Sequence, residues 1–413
     1  MSKGLLTINV VDYENSYAIK SANVAIYYIH RETNEWELLC DNLKTDESGQ
    51  VRKIGVYAPN IKYSQKPEKQ RPYSRYVVEV SKEGYEKMVI AGIQVLPCIE
   101  AIQTVELKRL GKKYALPSEY NIEEHILYGG YEPKIIESEI KPTFVLSKVV
   151  VPEFIVVHDG LPTDKNAQDY WIYFSDYIKN VASSEIYATW PTSTIYANVV
   201  AIISFTLNRV YTEWYKNQGY RFTITSTTQF DHKFIYNRNT FDTIDRVVDD
   251  IFNTYLTRGD QRQPLLTQYC DGKQTQCPGV MTQWGSKYLG DQGYSYDRIL
   301  KYYYGNDIEF RRASIISGIP TSYPGYDLTV GSRGEEVKTL QNELNVISNA
   351  YPAIPKVDED GIYGIKTKES VEIFQKIFDL PRSGIVDFAT WYEVSRVYVA
   401  VSKIGSYQKG LFH

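Results

Sequence analysis

The period of the hydrophobic pattern changes along this chain, and that change constrains the fold more than any single motif. Leu6, Ile8 and Val10 alternate with Thr7 and Asn9; Val24, Ile26 and Tyr28 repeat the pattern; Tyr76, Val78 and Val80 follow; and Val105 and Leu107 flank Glu106. A two-residue period puts alternate side chains on one face of a strand. Asp46-Glu47-Ser48-Gly49 and Glu83-Gly84 supply turns between these runs, so residues 1–109 are expected to form a small β-sandwich. Residues 110–150 hold Pro117, Gly129-Gly130, Pro133 and Pro142 without a period, which reads as a linker or a lightly packed wrap.

From residue 151 the apolar spacing moves to three and four. Pro191 suits the first position of a helix whose stripe is Ile195, Val199, Ile202, Thr206, Val210 and Trp214. A second helix is expected after Asn239-Thr240, with Phe241, Ile244, Val248, Ile251 and Tyr255 as its stripe and Arg258-Gly259 as its end. A third covers Tyr296–Tyr304 and closes at Gly305. The expected architecture is multidomain: the sandwich at 1–109, the linker at 110–150, a central α+β domain at 151–318 and a small helical domain at 325–402.

Composition narrows the class. With 413 residues, 43% hydrophobic, 23% charged and a net charge of −4, the chain is neither disordered nor a general nucleic-acid binder. No apolar run reaches the length of a membrane span, and the start alternates like a strand where a secretory signal would be apolar. The 37 Tyr against 14 Phe and 6 Trp suggest half-exposed aromatic surface, as in a groove for polar ligands such as sugars.

The C-terminal region carries three ordered blocks: "LTVGSRGEEVKTLQNELNVI", "DEDGIYGIKTKESVEIFQKIFDL" and "SGIVDFATWYEV". They resemble the peptidoglycan-binding module of wall hydrolases in Gly334, Val337, Leu340-Gln341, Asp360-Gly361, Tyr363-Gly364, Thr367, Phe374-Gln375, Gly384 and Thr390-Trp391. Ser370 replaces the usual Ala, and the segment around Asn349–Pro355 is an insertion.

In the central region "DYIKNVASSEIYATWP" sets Glu185 at the end of a short helix, before an aromatic turn from Tyr187 to Trp190. A carboxyl hemmed by rings is partly desolvated, which suits it to give a proton near neutral pH. This segment is similar to the signature of the stage II sporulation protein D family, whose glutamate is the catalytic acid. "CPGVMTQWGSKYLGDQGYSYDRILKYYY" matches that family's second block at Gln283, Trp284, Gly285, Gly293, Ile299, Leu300 and Tyr302–Tyr304. Cys277-Pro278 stands where the family commonly has Gly-His, so no metal and no cofactor is expected.

The domain order, with "VVVPEFIVVHDGLP" opening the central region, resembles the clostridial spore cortex-lytic enzymes (the SleC type) over essentially the whole chain. That resemblance implies a spore-located zymogen at the cortex or coat, activated by a subtilisin-like germination protease that cuts near Lys148, Val149, Val150 and Val151. It implies lytic transglycosylation of cortex peptidoglycan between N-acetylmuramic acid and N-acetylglucosamine. Glu185 would be the catalytic residue, with Gln283, Trp284, Gln229, Asp231 and Tyr187 as substrate contacts. An N-acetylmuramoyl-L-alanine amidase and a non-catalytic wall-binding scaffold are the alternatives; only five histidines disfavour the amidase. Cys270 and Cys277 flank a loop leading to Gln283 and are read as a disulfide or, alternatively, a metal pair. Cys40 and Cys98 are expected to be buried thiols, and His158 a satisfied core histidine.

Overall fold

The computed structural model describes residues 2–402 except 68, 115 and 134–144. The period-two stretch forms two sheets. One runs in the order Thr240–Phe241, Glu100–Leu107, Ser2–Asp12, Gln50–Ala58. Ser2–Asp12 lies parallel to Glu100–Leu107 and antiparallel to Gln50–Ala58. The other sheet has five strands: Trp36–Lys44, Asn23–Ile29, Ser74–Ser81, Met88–Val95 and Glu119–Asn121. Leu6, Ile8 and Val10 from the first and Val24, Ile26, Val78 and Val80 from the second are buried in one apolar cluster, as their alternation requires.

Two features depart from the sequence pattern. The strand Thr240–Phe241 comes from the central region yet pairs with Ile102 and Ala101 of the first sheet. The aperiodic stretch is also more structured than a linker: Glu119–Asn121 joins the second sheet, and Ile126–Gly129 makes one helical turn. Gly130 then takes φ 145°, a value open to glycine, and turns the chain inward.

The central region packs the helix Phe174–Glu185 against Thr192–Tyr211 and Asp242–Ile251. Thr192–Tyr211 is buried nearly all round, so its apolar stripe is wider than the spacing indicates. The helix expected to run to Arg258 ends at Ile251. Thr254–Arg258 instead pairs as a strand with Ile308–Arg312, in keeping with the β-forming Thr254, Tyr255 and Thr257. Tyr296–Tyr304 is helical up to Gly305, as expected.

The C-terminal helices Glu335–Ala350, Ile365–Ile377 and Phe388–Ser402 enclose a second, separate apolar cluster around Leu340, Phe374 and Trp391. The motif glutamines act as clamps there. Gln341 accepts the Gly361 N–H at 2.9 Å and donates to Asp360 at 2.9 Å; Gln375 accepts the N–H of Ser383 and Gly384 at 3.0 and 2.9 Å. Among the described residues no helix is long and apolar enough to cross a membrane.

Candidate active site

Glu185 is the last residue of its helix and has no solvent-exposed surface. Lys233 donates its backbone N–H to Oε1 at 2.7 Å, and Gln283 donates Nε2–H to Oε2 at 3.1 Å. Three pieces of chain remote in sequence thus converge on one carboxyl group.

Gln283 owes its place to a short parallel pair. Met281–Thr282 lies beside Tyr269–Cys270, and the helix Gln283–Asp291 begins directly after it. Cys270 and Cys277 form a disulfide that closes the intervening loop. Asp271 fastens the same loop, accepting the N–H of Gln274 at 2.7 Å and of Thr275 at 2.8 Å. Of the two readings of this cysteine pair, the structure takes the disulfide. Among the described residues no group of three or more His, Cys, Asp or Glu side chains is placed to hold a metal ion.

Tyr269 forms a wall of the site. Its ring stacks on His232 at 5.7 Å, and the Tyr177 hydroxyl lies 3.1 Å from His232 Nδ1. Burial raises the Tyr269 phenol well above its ordinary pKa, helped by the Glu185 charge, by Tyr131 and by a hydrogen bond to Glu185. Burial raises Tyr177 and Tyr131 as well, with the Glu185 charge contributing to both. Beside the helix end lies Arg238, 5% exposed, which donates to Ser184 Oγ at 3.1 Å and to Gln94 Oε1 at 3.3 Å. Its burial brings the guanidinium pKa down to about 9.

The expected substrate contacts divide. Gln283 touches Glu185. Trp284 is 6% exposed and packs on Trp190 with ring centres 5.0 Å apart and on Tyr187 at 6.1 Å, which places it in the interior. Tyr187 is buried too, its ring 4.4 Å from that of His125. Asp231 is corrected to a structural role. It is fully buried, ion-paired with Arg209 at 2.8 Å, and accepts from the Tyr215 hydroxyl at 2.6 Å and from Thr225 N–H and Oγ1–H at 2.9 and 2.7 Å. It fixes the loop that aims the Lys233 amide at Glu185. Gln229 is half-buried on that loop.

His158 is a satisfied core histidine, bonded to Asp169 at 2.7 Å and Leu161 O at 3.1 Å and stacked on Phe222. Cys40 is half-buried and Cys98 exposed in a turn at φ 61°, so neither is the buried thiol expected. Lys148 is exposed, whereas Val150 and Val151 pair with Ile315 and Ile316. The tyrosines divide: most of the described ones are half-buried or exposed, whereas Tyr76, Tyr177, Tyr215, Tyr269 and Tyr363 are 0–2% exposed. Their hydroxyls bond inward, Tyr76 to Tyr57 O at 2.6 Å and Tyr363 to Gly384 O at 2.9 Å.

The sequence reading missed Lys233, Tyr269 and Arg238. Lys233 works through its backbone, which no side-chain pattern encodes, and Tyr269 carries only the signal of preceding Cys270. A cleft of about 1300 Å³ elsewhere separates the first sheet, the strand Asp169–Tyr173 and the C-terminal helices, lined by Tyr170, Trp171, Tyr236 and Arg396 but not by Glu185.

Solved structures similar to part of the chain include 3-chlorocatechol 1,2-dioxygenase from Rhodococcus opacus 1CP, 14% identical with a TM-score of 0.18, covering 26% of this chain and 61% of that one. Transthyretin from Sparus aurata is 14% identical with a TM-score of 0.17, covering 25% and 89%. The minor pilin GBS52 from Streptococcus agalactiae is 14% identical with a TM-score of 0.17, covering 28% and 48%. Among curated proteins, none matches. Residues 333–393 match the peptidoglycan binding domain family, so the chain carries a peptidoglycan-binding domain in its C-terminal region, which fits a protein acting at the cell wall.

Proposed function

We propose that this chain is the precursor of a spore cortex peptidoglycan lytic transglycosylase whose acid and base is Glu185. The observation that carries the reading is a buried carboxyl held by Gln283 and the Lys233 amide, in a chain that also carries a peptidoglycan-binding domain. In the first step Glu185 gives its proton to the oxygen bridging N-acetylmuramic acid and N-acetylglucosamine, and the glycosidic bond breaks. The resulting carboxylate takes the proton of the muramic C6 hydroxyl, whose oxygen closes a 1,6-anhydro ring on C1. One carboxyl serves both steps, so no second acid at glycosidase spacing is required. Gln283 fixes the orientation of the carboxyl through both. The two N-terminal sheets, read as a sandwich, belong to the part removed near Lys148 by a subtilisin-like germination protease.

Mass spectrometry of digested cortex tests the chemistry. The 1,6-anhydro-muramic ends are expected; freed peptides on intact glycan would instead establish the amidase. Glu185→Gln keeps the shape but has no proton to give, so cleavage is expected to fall by at least ~10³-fold with wall binding unchanged. The complete burial of Glu185 favours one rival, the non-catalytic scaffold, in which Glu185 is a core residue. Lysis that survives Glu185→Gln would establish it.

A further inference from the structure

Residues 121–131, which the sequence marks only as aperiodic, contact the surroundings of Glu185 at three points. Glu123 pairs at 2.7 Å with the ammonium group of Lys233, the residue whose N–H holds Glu185. His125 is 1% exposed; its Nε2 lies 3.3 Å from the carbonyl of Ile186, next in sequence to Glu185, and its ring covers Tyr187. Tyr131 donates its N–H to Gln274 Oε1 at 3.1 Å and accepts from Thr275 Oγ1 at 3.2 Å. Gln274 also reaches the Ile126 and Leu127 carbonyls, both at 3.4 Å.

We infer that residues 121–131 are a plug seated in the substrate site, and that the surface beneath them, Gln274, Thr275, Lys233 and Tyr187, binds an N-acetylated glycan strand when the plug leaves. The inference rests on the reading of Glu185 given above. The chemistry of that surface suits such a ligand. A primary amide that donates and accepts, and a hydroxyl, now serve peptide N–H and C=O groups, and acetamido and hydroxyl groups of a sugar make the same bonds. Tyr187 supplies a ring face on which a sugar can lie in place of His125. The Tyr131 hydroxyl is buried without a hydrogen-bond partner among the described residues, near the Glu185 and Asp271 charges. An unsatisfied buried hydroxyl is a cost to the closed state, so the plug is held by its backbone bonds and by the burial of the Tyr131 ring, 6% exposed, and not by the hydroxyl.

A consequence concerns cleavage. A cut near Lys148 leaves residues 121–131 on the N-terminal fragment, and that fragment stays tied to the rest by the Phe241–Ala101 pairing, the reciprocal Gln94–Asn239 bonds at 2.9 and 3.0 Å, and a shared core. Cutting alone therefore leaves the site closed; the fragment has to be drawn off.

Hydrogen exchange at the Lys233 amide in the full chain reads the opening directly, because that proton is bonded to Glu185. It should be equally slow in the intact chain and in a chain nicked near Lys148 whose fragments elute together. Tyr131→Ala should speed it by about tenfold or more and should let a soluble N-acetylglucosamine–N-acetylmuramic acid tetrasaccharide protect the segment around Lys233, as it does not in the parent. Glu123→Ala, on the exposed rim, should do the same more weakly, and it keeps the test alive if Tyr131→Ala fails to fold. Unchanged exchange and no saccharide protection in folded variants would overturn the plug. Saccharide protection without glycan cleavage, even after the fragment is removed, would uphold the plug and sink the transglycosylase reading. Full cleavage by an intact chain with a slow Lys233 amide would do the reverse.

Discussion

The two ends of the molecule meet the central region in different ways. The N-terminal sheets share one apolar cluster with it, running from Leu6 through Val199 to Ile308. They also lend a sheet edge to Thr240–Phe241, and the helical turn Lys62–Gln65 between their strands receives the Trp190 indole N–H at Ser64 O, 2.8 Å away. The C-terminal helices keep a cluster of their own. They touch the central region through Phe252 against Phe388 and Tyr392 and through one charge pair, Arg396 3.7 Å from Asp176; Arg396 also pairs with Glu393 on its own helix. Arg52 and Asp379 make a further ion pair to the first sheet. A shared core makes two segments one cooperative unit, whereas a separate core with a largely charged seam leaves a module able to melt by itself.

The largest effects break this comparison most directly. Phe241 is 1% exposed in the seam between sheet and central helices, and Phe241→Ala should cost about 3–5 kcal/mol. Because the core is continuous, the N-terminal and central signals should fall together in a denaturant titration. If the sheets unfold while the central region keeps its midpoint, the seam is not cooperative. Next, Arg396→Met keeps the aliphatic stem but removes the charge facing Asp176 and Glu393. It should weaken the C-terminal seam by ~2 kcal/mol or less, since Arg396 is a quarter exposed and water screens the pair. The readout is the C-terminal transition; the N-terminal and central one should stay in place.

The same contrast explains what the sequence could and could not say. Period and punctuation identify elements: Leu6, Ile8 and Val10 as strand, Tyr296–Tyr304 with Gly305 as helix and stop, and the Gln341 and Gln375 blocks as a helical module. Glu185 and Gln283 were legible as motif residues, and the structure joins them through one hydrogen bond. What no periodicity carries is an irregular segment whose backbone does the binding. Residues 121–131 look like linker because their contacts run through carbonyls, N–H groups and a glycine turn. The loop around Asp231 shows the same thing: its carboxylate bonds Arg209, Tyr215 and Thr225, and the Lys233 amide two residues on bonds Glu185. The tyrosine count could not say which rings lie inside, since a phenol with a carbonyl partner is as much at home there as a phenylalanine, while most of the others keep a half-open face.

The smallest effect, a pH dependence of opposite sign at the two seams, sharpens the comparison further. At the N-terminal seam, burial and then the Arg238 charge hold His125 well below its ordinary 6.5, so the folded state keeps it neutral. As pH falls below 6.5 the unfolded chain takes up a proton that the folded chain refuses, and stability is lost at up to ~1.4 kcal/mol per pH unit. At the C-terminal seam, burial raises Asp249 and Asp379 to about 6, against an ordinary 3.8. There the folded state holds protons that the unfolded state has released, so stability declines as pH rises from 3.8 through about 6. Acid thus loosens the N-terminal cover while tightening the charged seam, and raising the pH toward 7 does the converse. Exchange rates of the Lys233 amide and of amides in the Phe388–Ser402 helix, measured from pH 5 to 8 and corrected for intrinsic chemistry, should move in opposite directions. Asp249→Asn should flatten the second trend and leave the first intact, and parallel trends at both seams would show that the two ends are coupled after all.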